Sequence, residues 1–378
     1  MTRPRLLILS FSNISVDARV LKQVKFFADL YEVTTYGYGP SPDPRVRHLR
    51  LNEAHGIRRW RRLDLILRRF RRIYWGQRAI LQAKADLAPL GRFDVILAND
   101  IDTVGLALAL DPVRGVHADI HEYAPRQNEE LLVWRWFIAP YVRWMCRCFL
   151  PRASSMTTVG EGIADEYRRV YGVQAGVVTN AAPYAELNAG PVETTIRMVH
   201  SGASIRNRRL EVLIDAAVAT TSDVSLDLYL MGNDPDYIAE LRERAAVSAR
   251  IRFPEPVPYS QLIPRLNEYD IGVHVIAPTN FNNRWALPNK FFDYVQARLG
   301  LIIGPSLEMR GLLDAHGFGA VASDFGAEAV TRVLDSLTLE KVRTWKSHAA
   351  TAAHALSSET QVEVWGRAID ALANRARA

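Results

Sequence analysis

Short β-like apolar runs alternate with helical stretches along the whole chain, and that order leaves little choice of architecture. It is met by parallel sheets built from βαβ units. In the first half, strands are predicted over residues 6–10, 32–35, 95–98, 116–119, 156–159 and 176–179, with helices between them that include 16–30 and 162–171. The pattern restarts at 196–201 and continues through 225–231, 251–253, 271–275, 301–303 and 320–322. Residues 180–195 break the periodicity with Asn-Ala-Ala-Pro and Asn-Ala-Gly-Pro, both rich in turn formers. The 378 residues suit two domains at about 150 each. We therefore predict two tandem Rossmann-like α/β domains, 1–183 and 184–359, facing a cleft at the carboxyl ends of both sheets where ligands bind.

Several classes drop out. No repeat of roughly 20–50 residues recurs within either half, which argues against a solenoid. The two cysteines, Cys146 and Cys148, lie two apart in a helical stretch and point to different sides, so neither a disulfide nor a metal pair is expected. No His, Cys and carboxylate grouping has metal-site spacing, and there is no P-loop or nucleophile elbow. Leu6-Leu7-Ile8-Leu9 is too short for a signal-peptide core and reads as a buried first strand. No apolar run reaches the length of a membrane span. A soluble or peripheral protein of a reducing, cytoplasmic compartment is expected.

The formal charge of +6 is concentrated. Residues 58–78 hold nine arginines and one acid, Asp64, interleaved with apolar and aromatic residues. At helical spacing Leu63, Ile66, Leu67, Phe70, Ile73 and Tyr74 share one face flanked by arginines, so a single basic amphipathic helix is predicted. Three readings of it are open: a core-facing helix with a solvated rim, a helix on anionic lipid, or a nucleic-acid patch, the last without any accompanying motif. Residues 131–150 repeat the mixture of aromatics and arginines, which favours a membrane-facing side.

Two segments of the second half carry chemistry. In Val-His-Ser-Gly-Ala-Ser-Ile-Arg-Asn-Arg-Arg-Leu-Glu, residues 199–211, a strand turns at Gly202 and enters a helix beside arginines, which offers free N–H groups, a positive helix end and guanidinium charge to a diphosphate. In Trp-Ala-Leu-Pro-Asn-Lys-Phe-Phe-Asp-Tyr, residues 285–294, Pro288 is predicted at the first helical position with Asn289 and Lys290 in the first turn. Lys at a helix start is poorly placed for the dipole unless an anion is near, and Asp293 lies one turn on, able to take ribose hydroxyls. Each segment has a bland counterpart, a solvated arginine loop and an ordinary surface helix. His200 and His274 are read as core histidines with satisfied nitrogens. Asp100 and Asp102 fit helix capping as well as catalysis.

The stretches HSGASIRNRRLEVLIDA and ALPNKFFDYVQARLGLII resemble the donor-site signatures of the GT-B retaining glycosyltransferases, specifically their family 4. DARVLKQVKFFA, ANDIDTVGLALAL, DIHEYAP, TTVGEGIADEYRRVYG, VVTNAAP and FPEPVPYSQLIPRLNEYDIGV resemble further family segments in matching order. The resemblance implies a GT-B architecture, with a nucleotide-sugar domain at 184–359, an acceptor-side domain at 1–183, and a terminal helix over 360–378 returning to the latter. It implies transfer from a UDP- or GDP-linked sugar to a glycan, lipid-linked or small-molecule acceptor with retention at the anomeric carbon, without cofactor, metal or nucleic acid. Gly202, Arg208, Asn289 and Lys290 correspond to the family's diphosphate site, Asp293 to its ribose-binding acid, and Val257 and Tyr259 to backbone contacts on the base. His121 corresponds to a histidine that reaches the donor sugar, beside Glu122, and Asp100 and Asp102 to acceptor-side acids. Family members commonly carry two glutamates eight positions apart where this chain has Trp285 and Asp293, and the glycine pair after the first strand is replaced by Ser12-Asn13-Ile14-Ser15. A sugar-nucleotide epimerase of the same fold and a scaffold with a degenerate donor site are the rival readings.

Overall fold

The computed structural model describes residues 3–57 and 62–374. The chain divides into two compact units, Met1–Thr179 with Asn280–Asn282 and Val362–Ala378, and Asn180–Thr279 with Asn283–Gln361.

The first unit is a parallel seven-stranded sheet. Its strands are β1 (Arg5–Asn13), β2 (Glu32–Tyr38), β3 (Arg47–Arg50), β4 (Val95–Asn99), β5 (Gly115–Asp119), β6 (Ser155–Thr158) and β7 (Gly176–Val177), in the order β3-β2-β1-β4-β5-β6-β7. Leu6 pairs with Val33 on one side and Val95 on the other. Leu6 through Leu9 are fully buried, as expected of a central strand covered on both faces, and each such side chain contributes roughly 1.5–3 kcal/mol. Helix Ala18–Phe27 opens with Asp17, whose carboxylate accepts the N–H groups of Arg19 and Val20, and it buries Val20, Val24 and Phe27 in a core shared with Trp365, Ile369 and Leu372 of the terminal helix Ser358–Ala373. Strand β3 was not predicted. Its sequence, Arg-His-Leu-Arg, has no apolar run because it is a sheet edge with exposed ends.

The predicted single basic helix is a second departure. Residues 58–61 lie outside the described residues. The remainder forms two short helices, Arg62–Ile66 and Phe70–Trp75, separated at Arg68, whose φ is 52°. The Arg69 N–H donates to the Asp64 carbonyl and the Arg68 N–H to the Leu65 carbonyl, a Schellman termination with Arg68 in the left-handed position. The chain therefore changes direction. Ile73 and Tyr74 enter the core, while Leu63, Ile66 and Leu67, expected on the same face, stay exposed.

The second unit is a parallel six-stranded sheet: β8 (Ile196–Ala203), β9 (Val224–Met231), β10 (Ile251–Arg252), β11 (Ile271–His274), β12 (Gly300–Ile303) and β13 (Gly319–Val321), ordered β10-β9-β8-β11-β12-β13. Met198 of β8 pairs with Leu226 of β9 and Ile271 of β11. In both sheets the strand order reverses beside the first strand, between β1 and β4 and between β8 and β11. Ligands of open α/β sheets bind outside the carboxyl ends at such points.

Candidate functional site

In the second unit three of the predicted donor residues, Gly202, Arg208 and Lys290, come together after β8. Gly202, near the end of β8, has φ 139°, a conformation side chains rarely adopt. A Cβ there would lie 2.6 Å from Lys290 Nζ and 3.5 Å from Arg208 Nη1, so the bare glycine makes room for both cations. After β8 the chain makes a 3-10 turn, Arg206–Arg208, before helix Glu211–Ala219 begins, and the three arginines diverge. Arg206 pairs with Glu240 and Asp234, and Arg209 approaches Glu211 at 3.7 Å. Arg208 has a carbonyl instead, that of Ala203 at 3.4 Å, and burial pulls its basicity down.

Lys290 stands in the first turn of helix Asn289–Gln296. Pro288 occupies the N-cap, with φ −72° and ψ 150°, one position earlier than predicted: its extended ψ leaves Asn289 as the first helical residue. Tyr294 fixes the helix against the sheet, its ring packed on Gly272 and its hydroxyl accepting the Ser201 N–H at 3.1 Å. Thus held, Lys290 places Nζ 3.5 Å from His200 Nε2. Desolvation first, and then the charge of Arg208, push the Lys290 ammonium down to about 7, although Asp293 acts in the opposite sense.

These cations border a cavity of about 590 Å³, lined by Arg208, Arg284, Lys290, Asn207, His274 and Ser306 together with apolar residues and a few further polar groups, and by no carboxylate. That volume lies in the range of small-molecule sites. His200 behaves as predicted, with Nδ1 on the Val273 carbonyl at 2.9 Å. His274 does not: its Nδ1 is buried without a partner, and burial and the neighbouring Lys290 hold the ring neutral. The rings stack with centroids 6.4 Å apart. Ser306 caps helix Leu307–His316, yet its buried hydroxyl makes no hydrogen bond, neither to the helix nor elsewhere. The N-terminus of that helix, at Ser306 and Leu307, therefore borders the same cavity as Arg208 and Lys290. Sequence reasoning missed His274 and Ser306. The Gly-Pro-Ser-Leu-Glu run at 304–308 is a legible helix start after β12, and His274 is the last residue of a strand at the reversal point.

Asp293 is buried behind the cavity, outside its lining, and accepts a hydrogen bond from the Tyr259 hydroxyl at 3.0 Å. Tyr259 is the first residue of helix Tyr259–Leu266 because Pro258 supplies the extended cap before it. Val257 packs, partly buried, against the core that contains Phe291 and Phe292. Asn289 is exposed, and Trp285 does not line the cavity.

The first unit collects a different group. Asp100, at the end of β4, has φ 62° and forms no side-chain cap on helix Ile101–Ala109, contrary to the capping alternative. Its carboxylate accepts the His121 N–H at 3.3 Å and lies 3.6 Å from His121 Nδ1. His121 Nε2 is 3.6 Å from Asp119 Oδ2 and 3.4 Å from Asn99 Oδ1. Burial opposes charge on this ring, but Asp100 and Asp119 outweigh it, and its basicity is raised. Asp119 is itself fully buried and takes two hydrogen bonds from Arg19, at 2.7 and 2.8 Å, and others from Gln23, Thr157 and Trp365. Asp102 is buried in the helix, where its carbonyl accepts the Tyr74 hydroxyl. The Glu122 side chain is exposed, and its carbonyl accepts from Tyr167.

Among the described residues no group of three or more His, Cys, Asp or Glu side chains could hold a metal ion, and no helix is long and apolar enough to cross a membrane. No protein-family profile and no curated protein sequence matches the chain. Solved structures do. HepE of Anabaena, in complex with UDP and glucose, superposes with a TM-score of 0.68 over 97% of this chain and 100% of its own, at 15% identity. Sucrose-phosphate synthase of Thermosynechococcus elongatus gives 0.69 at 13% identity, covering 98% and 99%. WaaG, a glycosyltransferase involved in lipopolysaccharide biosynthesis, gives 0.62 at 11% identity, covering 98% and 100%. With two parallel Rossmann-like sheets matched along nearly its whole length, this chain has the GT-B fold.

Proposed function

We propose that the protein is a retaining glycosyltransferase that moves a sugar from a nucleoside diphosphate to an acceptor hydroxyl. The observation that carries this reading is the carboxylate-free cavity of the second unit, where Arg208 and Lys290 meet a helix N-terminus and two buried polar groups without partners. Uncompensated cations in a sheltered space suit a multiply charged anion, and a diphosphate spans such a site with bidentate guanidinium contact at one end. Breaking the anomeric bond leaves negative charge on the departing diphosphate as the sugar gains oxocarbenium character. Arg208, Lys290 and the helix N-terminus stabilise that charge from fixed positions, which is the role a bound metal ion has in other transferases. Each such contact is worth on the order of 2–4 kcal/mol of barrier if oxyanion-site magnitudes transfer.

Asp293, braced by Tyr259, is assigned to the ribose hydroxyls, and the backbone around Val257 and Tyr259 to the base. His121, kept basic by Asp100 and Asp119, is assigned to the donor sugar beside Glu122. HepE, of the same fold, holds UDP, which makes UDP-sugars the first donors to test and GDP-sugars the second. The acceptor is a glycan or lipid-linked glycan used in cell-surface polysaccharide or glycolipid synthesis at the cytoplasmic face of the membrane.

Calorimetric titration with UDP, GDP and their sugar conjugates, without added metal, tests the assignment. Micromolar binding of one nucleotide, lost in both Arg208→Ala and Lys290→Ala, is the expected result. Binding of none favours a scaffold with a degenerate site. Turnover of donor without acceptor to an epimerised sugar identifies an epimerase instead.

A further inference from the structure

The interrupted helix of the first unit leaves a surface that the sugar-transfer reading does not use. Residues 63–67 and 131–137 expose eight large apolar side chains, among them Leu63 at 72%, Trp136 at 68% and Leu132 at 64% of full exposure. The two segments adjoin at Ile66, Trp136 and Phe137. Ile66, Arg68 and Phe70 of the first segment share the walls of a groove with Trp136, Phe137 and Pro140 of the second. Beside it, Arg68, Arg69, Arg71 and Arg72 ring an open basin of about 760 Å³ with Trp75 and Trp144.

Charge on this surface is almost wholly of one sign. Residues 63–78 and 131–152 carry nine arginines and a single acid, the buried Asp64. Among the described residues only Arg69 of these nine is ion-paired, to Asp64 at 3.7 Å. A monomer's solvent-facing surface has no use for eight exposed apolar side chains in two adjoining segments. A second copy of the chain is a poor cover for it, since arginine would meet arginine across a self-complementary contact. Nucleic acid satisfies the arginines but leaves Leu63, Leu132 and Val133 in water.

We infer that this face docks on an anionic phospholipid surface, with Leu63, Leu67, Leu132, Val133, Trp136 and Phe137 entering the interface and the arginine basin receiving lipid phosphates. Amphipathic surfaces bind bilayers by buried apolar area together with attraction to anionic headgroups, and tryptophan settles at that depth. The turn at Arg68 is what makes the platform. On a continuous helix Leu63, Ile66 and Leu67 would share a face with Tyr74. The termination turns them outward, beside the π-helical turn Trp134–Ile138 that presents Trp136 and Phe137. This inference deepens the proposed lipid-linked acceptor, but it is tested without donor or acceptor.

Flotation of the full chain with vesicles of phosphatidylcholine, alone or containing phosphatidylglycerol, reads it directly. Binding is expected only to the anionic vesicles and is expected to fall with added salt. The double variant Arg71→Ala with Arg72→Ala is expected to lower the partition coefficient roughly 30-fold, at the usual worth of a basic residue near an anionic surface. Trp136→Ala, at a position already exposed and so harmless to folding, is expected to lower it on the order of tenfold. No flotation, equal flotation on neutral vesicles, or unchanged binding in both variants overturns the inference, as does a concentration-dependent dimer that Trp136→Ala abolishes. UDP titration of the same preparations reports on the donor site independently, so the failure of either reading is seen by itself.

Discussion

With a diphosphate bound as proposed, Lys290 makes nucleotide binding proton-linked. Desolvation, and then the charge of Arg208, push its ammonium down to about 7. A bound diphosphate supplies the missing counter-charge and favours the protonated form, returning it toward the ordinary 10.5. Donor binding at neutral pH then requires a proton. Only the protonated lysine binds well, and its share falls from about nine-tenths at pH 6 to about one-tenth at pH 8, so affinity drops about tenfold, ~1.4 kcal/mol, across that interval. The folding linkage has its own sign: because the folded value is depressed, the unfolded chain binds more protons between about 7 and 10.5, and the empty protein gains stability as pH rises through that window. Calorimetry with UDP-glucose at pH 6, 7 and 8, in buffers of differing ionisation heat, counts the protons directly, and about 0.9 should be taken up at pH 8. UDP-glucose is chosen because its diphosphate diester has no titrating group in this range. Lys290→Arg keeps the charge at all three pH values and should flatten the profile. Affinity that is independent of pH in the native protein, with no proton uptake at pH 8, would refute a desolvated lysine as the diphosphate ligand.

Three further outcomes follow from the geometry. Gly202→Ala puts a methyl group 2.6 Å from Lys290 Nζ at a φ of 139°, so it should cost about 1–3 kcal/mol in chemical denaturation and displace Lys290 enough to weaken nucleotide binding. Arg19→Ala leaves the Asp119 carboxylate buried without its cation and should cost about 3–5 kcal/mol at neutral pH. Arg19 holds the Asp119 carboxyl well below the usual range against the effect of burial, so this contribution is present above ordinary carboxylate pKa values and is lost as pH falls through the depressed one; denaturation of the native protein and the variant across acid pH measures it. Asp100→Asn removes the largest single interaction that raises His121, and NMR titration should show the imidazole losing its proton at lower pH than in the native protein. An unchanged His121 titration would show that Asp119 alone sets it.

The sequence was most legible where one physical signal acts alone. Central strands such as β1 and β4 are continuous apolar runs because both faces are covered, and all twelve predicted strands lie where observed strands do. Strand β3 was illegible because an edge strand keeps its polar side chains in water. The 62–78 region was misread because periodicity reports the face a residue would take on an unbroken helix, and nothing in the pattern marks Arg68 as left-handed. At the cavity of the second unit the cationic positions were legible as Arg208 and Lys290. Their deprivation was not, since it depends on where Arg206 and Arg209 find acids, at Glu240 and Glu211, and on His274 facing the cavity from the adjacent strand. Composition cannot separate three arginines within four residues, and tertiary pairing does.

That pairing separates two kinds of desolvated charge in one protein. Asp119 is fully buried and accepts five hydrogen bonds, from Arg19 twice, Gln23, Thr157 and Trp365, so its burial is compensated inside the first unit and ties the terminal helix to the sheet. Arg208 and Lys290 are desolvated beside each other, with the His274 nitrogen and the Ser306 hydroxyl also unmatched. A completed network stabilises the fold and resists change, whereas an incomplete one of single sign lowers stability until an anion arrives. Lys290→Met should therefore raise the melting temperature of the ligand-free protein while abolishing nucleotide binding, and Arg19→Met or Gln23→Met, each removing a donor to Asp119, should lower it. If both sets of substitutions destabilised alike, the cavity's cations would belong to the scaffold and the assignment of a diphosphate there would lose its physical basis.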